Sequence, residues 1–239
     1  MVAIQVDNLT KKYGELLALK GVSFSVKEGE VFGLIGPNGA GKTTTLRILA
    51  TLLEVSGGKV TVFGHDLVKE AGAVREMISY LPEDAGAYKA MTGREYLTFI
   101  SGFFGDGVHR KDMVAKGIEI ANLDERINDK VDTYSKGMTR RLLVARALMI
   151  NPKLAILDEL TSGLDVINSQ EIRKMVKRTA AEGMTILLSS HNMLEVELMC
   201  DRIALVDHGI VVAQGTPAEL KAQYAANNIE EVFVKVVNE

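Results

Sequence analysis

Residues Gly36-Pro37-Asn38-Gly39-Ala40-Gly41-Lys42-Thr43 satisfy the spacing G-x-x-x-x-G-K-[ST]. Each residue type has a physical use there. Glycines admit left-handed backbone, so successive amide N–H groups can turn inward around an anion. A helix starting at the end of such a loop adds the positive end of its dipole. Lys42 is a compact cation placed to reach β and γ phosphates. The Thr43 hydroxyl, followed by Thr44, can ligate a Mg²⁺ ion bridging the same oxygens. An incidental Gly-rich turn is the competing reading. Context decides between them: the loop follows the apolar run Val31-Phe32-Gly33-Leu34-Ile35 and opens a helical pattern from Thr43 to Leu53. The loop reads as the holder of a nucleoside triphosphate.

A second chemical element lies far downstream. Leu154-Ala155-Ile156-Leu157 is an apolar strand pattern ending in Asp158-Glu159. A strand lying beside the phosphate loop would carry Asp158 to the Mg²⁺ shell at the sheet's carboxyl edge, where α/β sheets bind ligands. Glu159, one residue on, could accept a proton from an attacking water. Two acids after a strand can equally cap a helix, and alone the two readings weigh evenly. Paired with Lys42 and Thr43, the catalytic reading prevails.

These residues need a scaffold that gathers loop ends at one edge. Val2 to Val6 and Leu17 to Val26 read as strands, the second alternating through Val22-Ser23-Phe24-Ser25-Val26. Val31 to Ile35 has the unbroken apolar character of a strand buried on both faces. Gly57-Gly58 precedes a strand at Val60 to Phe63, and Ile78 to Leu81 is another, ended by Pro82. From Glu83 to Ile150 helical spacing takes over. Thr92-Gly93-Arg94-Glu95 forms a capping box, followed by helices over Met113 to Ala121 and Gly137 to Ile150. Alternation then resumes: strand Leu154 to Leu157, helix Asn168 to Glu182, strand Thr185 to Ser189, helix Met193 to Met199, strand Ile203 to Val206. Gly183 suits a left-handed helix end. His208-Gly209 suits a hairpin turn, and Thr216-Pro217-Ala218-Glu219 is a second capping box with Pro at the first helical position. Such alternation predicts a parallel α/β sheet with right-handed crossovers.

Composition narrows the function classes. The 239 residues carry 47% hydrophobic and 25% charged residues and a formal net charge of -3. That charge argues against a general nucleic-acid binder, which usually has a basic field. The single cysteine, Cys200, forbids an internal disulfide and fits a reducing, intracellular setting. The N-terminus shows no targeting pattern, and no apolar run of about 18 residues exists to span a bilayer. Any tie to a membrane must come through another polypeptide.

The ordered set of motifs resembles one family over essentially the whole chain: the nucleotide-binding subunits of ABC transporters. Tyr134-Ser135-Lys136-Gly137-Met138 corresponds to that family's Leu-Ser-Gly-Gly-Gln signature and heads a helix containing Arg140-Arg141-Leu142. Asp158-Glu159, Ser162-Gly163-Leu164-Asp165 and Ser189-Ser190-His191 follow in the family's order. The resemblance implies a P-loop NTPase core of RecA type with a mainly parallel sheet, an antiparallel β subdomain and an inserted helical subdomain. It implies one ABC ATPase domain over residues 1–239, with core segments near 1–82 and 151–239 and a helical subdomain near 83–150.

The resemblance also assigns roles. ATP and Mg²⁺ would be held by the loop Gly36, Pro37, Asn38, Gly39, Ala40, Gly41, Lys42, Thr43 and Thr44, with Tyr13 stacked on the adenine. Metal ligands would be Thr43, Asp158 and Glu83. Ser135 and Gly137 would contact the γ-phosphate of a nucleotide held by a second subunit, and Asp165 would cross that interface. Glu159, His191 and Lys42 would carry the hydrolysis. Lys136, Met138 and Leu160 depart from the family pattern (Leu160 replaces a Pro, so the loop after it is expected to be looser). Glu83 departs most consequentially, standing where Gln is usual. The implied function is a transport ATPase coupled to a separate transmembrane permease, most like bacterial exporters of drugs, sodium or polysaccharides. It would sit in the cytoplasm, on the inner face of the cell membrane. The alternative is a soluble ABC-type ATPase acting on ribosomes or nucleic acid. The paired cassettes or long coiled-coil insertions of such relatives are absent, and no nucleic-acid partner is expected. A binding module without catalysis ranks last, because the catalytic residues are all present.

Overall fold

A computed structural model of the chain describes residues 1–104 and 107–238. In chain order its elements are β1 (Val2–Tyr13), β2 (Leu16–Lys27), β3 (Val31–Ile35), α1 (Lys42–Leu49), β4 (Gly57–Val62), β5 (His65–Asp66), α2 (Ala71–Met77) and β6 (Ile78–Leu81). There follow α3 (Gly93–Ser101), α4 (Gly107–Ala121), two short 3-10 turns, and α5 (Lys136–Leu148). The chain closes with β7 (Leu154–Leu157), α6 (Val166–Ala181), β8 (Thr185–Ser190), α7 (Met193–Met199), β9 (Arg202–Asp207), β10 (Ile210–Gly215), α8 (Pro217–Gln223) and α9 (Ile229–Asn238).

The strands form two sheets. Six make the order β10-β9-β3-β8-β7-β6, in which β9, β3, β8, β7 and β6 are mutually parallel and only β10 runs against its neighbour. The other sheet, β2-β1-β4-β5, is antiparallel throughout. The parallel strands are apolar on both faces because both faces are covered. From β3, Val31 and Ile35 join one core with α5, α6 and α7, while Phe32 and Leu34 join the other with the antiparallel sheet. β7 divides its residues likewise, Ala155 and Leu157 against Leu154 and Ile156. Phe24 of β2 stacks on Phe32 at 5.4 Å between centroids, fastening the sheets together. Each such fully buried aliphatic or aromatic side chain contributes about 1.5–3 kcal/mol.

Capping chemistry sets the helix starts. Thr92 and Thr216 both complete reciprocal capping boxes, with Glu95 and Glu219. Gly183 is left-handed at φ 95°, and His208-Gly209 turns β9 into β10 with φ values of 43° and 80°. Three readings are corrected. The first helix ends at Leu49 rather than Leu53, because Thr51 adopts φ 59° and the chain turns. Helices α2 and α9 escaped the sequence reading, α2 because it is short and buries only Val74. Finally, β7 does not lie beside β3: β8 is inserted between them. Asp158 therefore reaches the phosphate loop across the end of β8, and β8 supplies a residue to bridge the gap.

Candidate active site

Four adjacent parallel strands discharge their chain ends at the same edge of the sheet. β3 runs into Gly36, β8 ends at Ser190 before His191, β7 ends before Asp158, and β6 ends before Pro82 and Glu83. Parallel pairing makes this convergence automatic, since every carboxyl end lies on one side.

The phosphate loop is a tight structure. Gly41 sits at φ 105° as the N-cap of α1, and a Cβ there would lie 2.6 Å from Leu19 Cδ2 and 3.3 Å from the Ala18 carbonyl oxygen. The left-handed backbone is what requires glycine, since the Leu19 methyl can move aside. Lys42, buried, donates from Nζ to the carbonyls of Gly36 at 2.8 Å and Pro37 at 3.1 Å. Its third neighbour is Glu159, whose Oε1 lies 3.4 Å away. The ammonium is thus held inside the loop by groups it can exchange for phosphate oxygens. A cleft of about 160 Å³ opens over this loop, lined by Gly39, Gly41, Lys42, Thr43 and Thr44 with Glu83 and Glu159 opposite. Asn38 borders it as well.

Behind Thr43 stands a chain of hydroxyls and carboxylates. Thr43 donates from Oγ1 to Asp158 Oδ1 at 3.2 Å, and Ser189 donates to the same oxygen at 2.5 Å. Ser189 also accepts from the Glu159 N–H at 3.1 Å. This fully buried hydroxyl is the piece that β8 contributes, joining Asp158 to Glu159. The sequence placed Ser189 at a strand end without a role, and only the strand order reveals one. Glu159 has φ 48°, a left-handed conformation costing a non-glycine residue about 1–2 kcal/mol. That turn swings its carboxylate toward His191, whose Nδ1 lies 2.7 Å from Glu159 Oε2. Leu160 is buried, and Thr161 next to it bonds Glu195 of α7, which pairs with Arg173 at 3.0 Å.

A donor set of one hydroxyl and one or two carboxylates suits Mg²⁺, which takes its remaining ligands from phosphates and water. Among the described residues no group of three or more His, Cys, Asp or Glu forms a self-sufficient metal cage. Bringing Thr43 and Asp158 within hydrogen-bond distance fits the expected metal site, with Glu83 on the rim of the same cleft.

Other expected residues lie outside this cleft. Ser135 caps α5, its Oγ accepting from the Met138 N–H at 3.2 Å. Gly137 is packed so closely that a Cβ would meet Asn168 Cγ at 2.1 Å. Asn168 in turn donates to Asp165, at 2.9 Å from its N–H and 2.6 Å from its side chain. Those bonds hold the exposed Asp165 carboxyl below the usual aspartate range. Ser135 and Gly137 are not among the residues lining the phosphate cleft. Tyr13 is exposed at the tip of β1, its ring 5.2 Å from the Lys11 ammonium, and is likewise outside the lining. A second cleft of about 380 Å³ runs between Lys136 and Arg140 on one side and Glu83, Glu159 and Ser162 on the other.

Arg140 is the residue whose importance sequence reasoning missed, although it was visible as a cation in an amphipathic helix. It is buried, and burial pulls its pKa below the ordinary arginine value against the opposing pull of Glu83, Asp158 and Glu159. No helix among the described residues is long and apolar enough to cross a membrane.

Comparison with known proteins agrees with this geometry. The family model described as ABC transporter matches residues 19–162, more than half of the chain. The linearmycin resistance ATP-binding protein LnrL of Bacillus subtilis (strain 168) is 38% identical over 237 residues, covering 99% of this chain and 76% of its own. The Nod factor export ATP-binding protein I of Rhizobium sp. (strain N33) is 36% identical, over 97% of this chain and 77% of its own. Among solved structures, a dimeric post-hydrolysis state of the ATP-binding cassette MJ0796, bound to ADP and Pi, superposes with a TM-score of 0.78 at 27% identity. That match covers 89% of this chain and 98% of the other. With a triphosphate loop, an acid-bearing strand end and a matching family model on one sheet edge, this chain belongs to the ABC transporter family as one of its ATP-binding, ATP-hydrolysing subunits.

Proposed function

We propose that this subunit works in a head-to-tail pair with a second ATPase subunit, each contributing half of two composite sites, and that the pair drives a separate membrane permease that exports its cargo. The observation that carries the pairing is a division within one chain. Lys42, Thr43 and Glu159 line one cleft, Asp158 and His191 are hydrogen-bonded to Thr43 and Glu159 of that lining, and Ser135 and Gly137 at the start of α5 neither line the cleft nor bond to its lining residues. Facing one chain's α5 start with another's phosphate loop would bring both sets to one triphosphate. A helix N-terminus with a hydroxyl at its cap suits that anion. Dimerisation of the related cassette with ADP and Pi supports the same reading.

In the proposed reaction a water oxygen attacks the γ-phosphorus in line while the bond to the β-bridging oxygen breaks, releasing ADP and phosphate. Glu159 Oε2 takes the water's proton, and His191 orients that carboxylate through Nδ1, at 2.7 Å, leaving its other ring nitrogen to meet the γ-phosphate. Lys42 leaves the Gly36 and Pro37 carbonyls for the β and γ oxygens. Mg²⁺, held by Thr43 and Asp158 with Glu83 nearby, supplies charge neutralisation of the phosphate oxygens when bound. Asp165 lies on the face that meets the second subunit, and Tyr13 takes the adenine.

The permease contact is supported by an aromatic strip following Glu83. Tyr88 packs edge-to-face on Tyr96 and Phe99, and Phe99 on Phe103, with centroids 6.0, 5.5 and 5.3 Å apart. Phe103 is 70% exposed and Phe104 54%. Contiguous exposed aromatics mark interaction surfaces. Export is supported by the relatives named for resistance and for export. On this reading the subunit sits on the inner face of the membrane, held there by the permease. Two measurements test the proposal. Isolation from membranes should co-purify a chain with several long apolar segments. A Glu159→Gln protein should become dimeric in saturating MgATP; a monomer under those conditions removes the composite site.

A further inference from the structure

Among the described residues Arg140 makes five hydrogen bonds, and all five go to backbone carbonyls. Nε donates to Leu160 at 2.9 Å. Nη2 donates to Asp158 at 2.8 Å and Glu159 at 2.7 Å. Nη1 donates to Glu83 at 3.1 Å and Pro82 at 3.4 Å. The guanidinium therefore holds three consecutive carbonyls of the turn that bears Glu159, together with the two that lead β6 into Glu83. It does so from α5, the helix that Ser135 caps.

Two features make this arrangement more than packing. First, the three successive carbonyls converge on one cation at a turn in which Glu159 is left-handed at φ 48°, and the carboxylate of that same residue meets His191. The clamp and the carboxylate direction are thus one conformational choice. Second, the rigid turn that a proline would impose after Glu159 is missing, since Leu160 stands there. The planar fork of an arginine can restrain the peptide planes on both sides of Glu159 from outside, which an ammonium, a point donor, cannot do.

We propose that Arg140 is a positioning residue for ATP hydrolysis: its guanidinium locks the Asp158–Leu160 turn and the Pro82–Glu83 segment in register, so that the Glu159 carboxylate meets the attacking water. Its bonds go to backbone carbonyls, so it acts through the turn. The proposal rests on Glu159 being the general base.

A double-mutant cycle on the full chain separates the two ideas. Arg140→Lys and Arg140→Gln are each made alone and in the Glu159→Gln background. ATP turnover, MgATP affinity and thermal midpoint are measured for all. A carboxylate displaced by about 1 Å costs roughly 10²-fold in rate. Arg140→Lys alone should therefore lose roughly 10²-fold in kcat, with MgATP affinity changed by less than about threefold. Within Glu159→Gln the same change should cost less than about threefold, because the group being positioned is already gone. Full multiplication of the two losses would make Arg140 a general scaffold residue and overturn the proposal. Parental kcat in both Arg140 variants, beside a dead Glu159→Gln, would also overturn it and leave the base in place. Parental turnover in Glu159→Gln would instead remove the base itself. If neither Arg140 variant folds, its role is stability and positioning falls.

Discussion

The Nδ1 atom of His191 and the Oε2 atom of Glu159 lie 2.7 Å apart, with the histidine side chain half open to solvent and the glutamate buried. The other oxygen of that carboxylate faces Lys42 at 3.4 Å. One carboxylate therefore stands between the buried ammonium of the loop and the half-exposed imidazole. That placement makes Glu159 the residue whose loss should hurt turnover without hurting nucleotide binding. Glu159→Gln is expected to lower kcat by roughly 10²–10⁴-fold, the range for removing a general base. Phosphate release at saturating MgATP measures it, with nucleotide affinity as the control.

Ser189→Ala should act through the metal shell and through stability. The buried hydroxyl accepts from the Glu159 N–H and donates to Asp158, so its removal leaves a buried donor without a partner. An unmade buried bond costs about 1–3 kcal/mol. Denaturant unfolding should show a loss of that size, with the same slope. Unchanged stability would mean that water or a neighbour takes over both bonds.

Gly41→Ala is expected to abolish nucleotide binding while the chain still folds. The new methyl must occupy space 2.6 Å from Leu19 Cδ2, on backbone at φ 105°. The Leu19 methyl can swing aside, but alanine strains that backbone, and relief of the strain takes the loop's amide groups off the phosphates. Binding of a fluorescent ATP analogue, with circular dichroism as the folding control, reads both.

Glu83→Gln tests the position where this chain departs from the usual residue. Its carboxylate rims the cleft that contains Lys42 and Thr43. Removing one negative group from the metal's surroundings should raise the Mg²⁺ concentration for half-maximal turnover by about tenfold. An unchanged Mg²⁺ titration would place Glu83 outside the metal's reach.

Acid sensitivity should begin at helix starts. Backbone N–H groups hold Glu95, Asp165 and Glu219 below their ordinary values, through Thr92, Asn168 and Thr216 respectively. Their folded pKa values are depressed, so their stabilisation is complete above the unfolded pKa and is lost as pH falls through the folded one. Melting temperatures should thus decline between about pH 5 and 3, and less steeply in a Glu95→Gln, Glu219→Gln double variant. Identical slopes would show that these caps do not govern the acid limb.

Local chemistry was readable along the chain. The loop from Gly36 to Thr43, both capping boxes, the left-handed Gly183 and the hairpin at His208-Gly209 depend on residues within a few positions of each other. The apolar run of β3 and the paired acids after β7 likewise announce buried strands that end in chemistry. What depended on partners distant in sequence was not readable. Strand order is one case: nothing near Leu154 says that β8 will intervene before β3, since pairing joins strands far apart in sequence. Ser189 becomes a bridge only through that order. Arg140 is the other case, since a cation on an amphipathic helix is normally solvated, and its five carbonyls come from segments folded together by the sheet and α5. The sequence by itself determined that a triphosphate is held, and it marked Asp158 and Glu159 as the candidate acids, because the groups within each motif are neighbours along the chain. The tertiary structure alone decided which side chains aim and brace them, because that depends on backbone carbonyls and hydroxyls meeting across the fold.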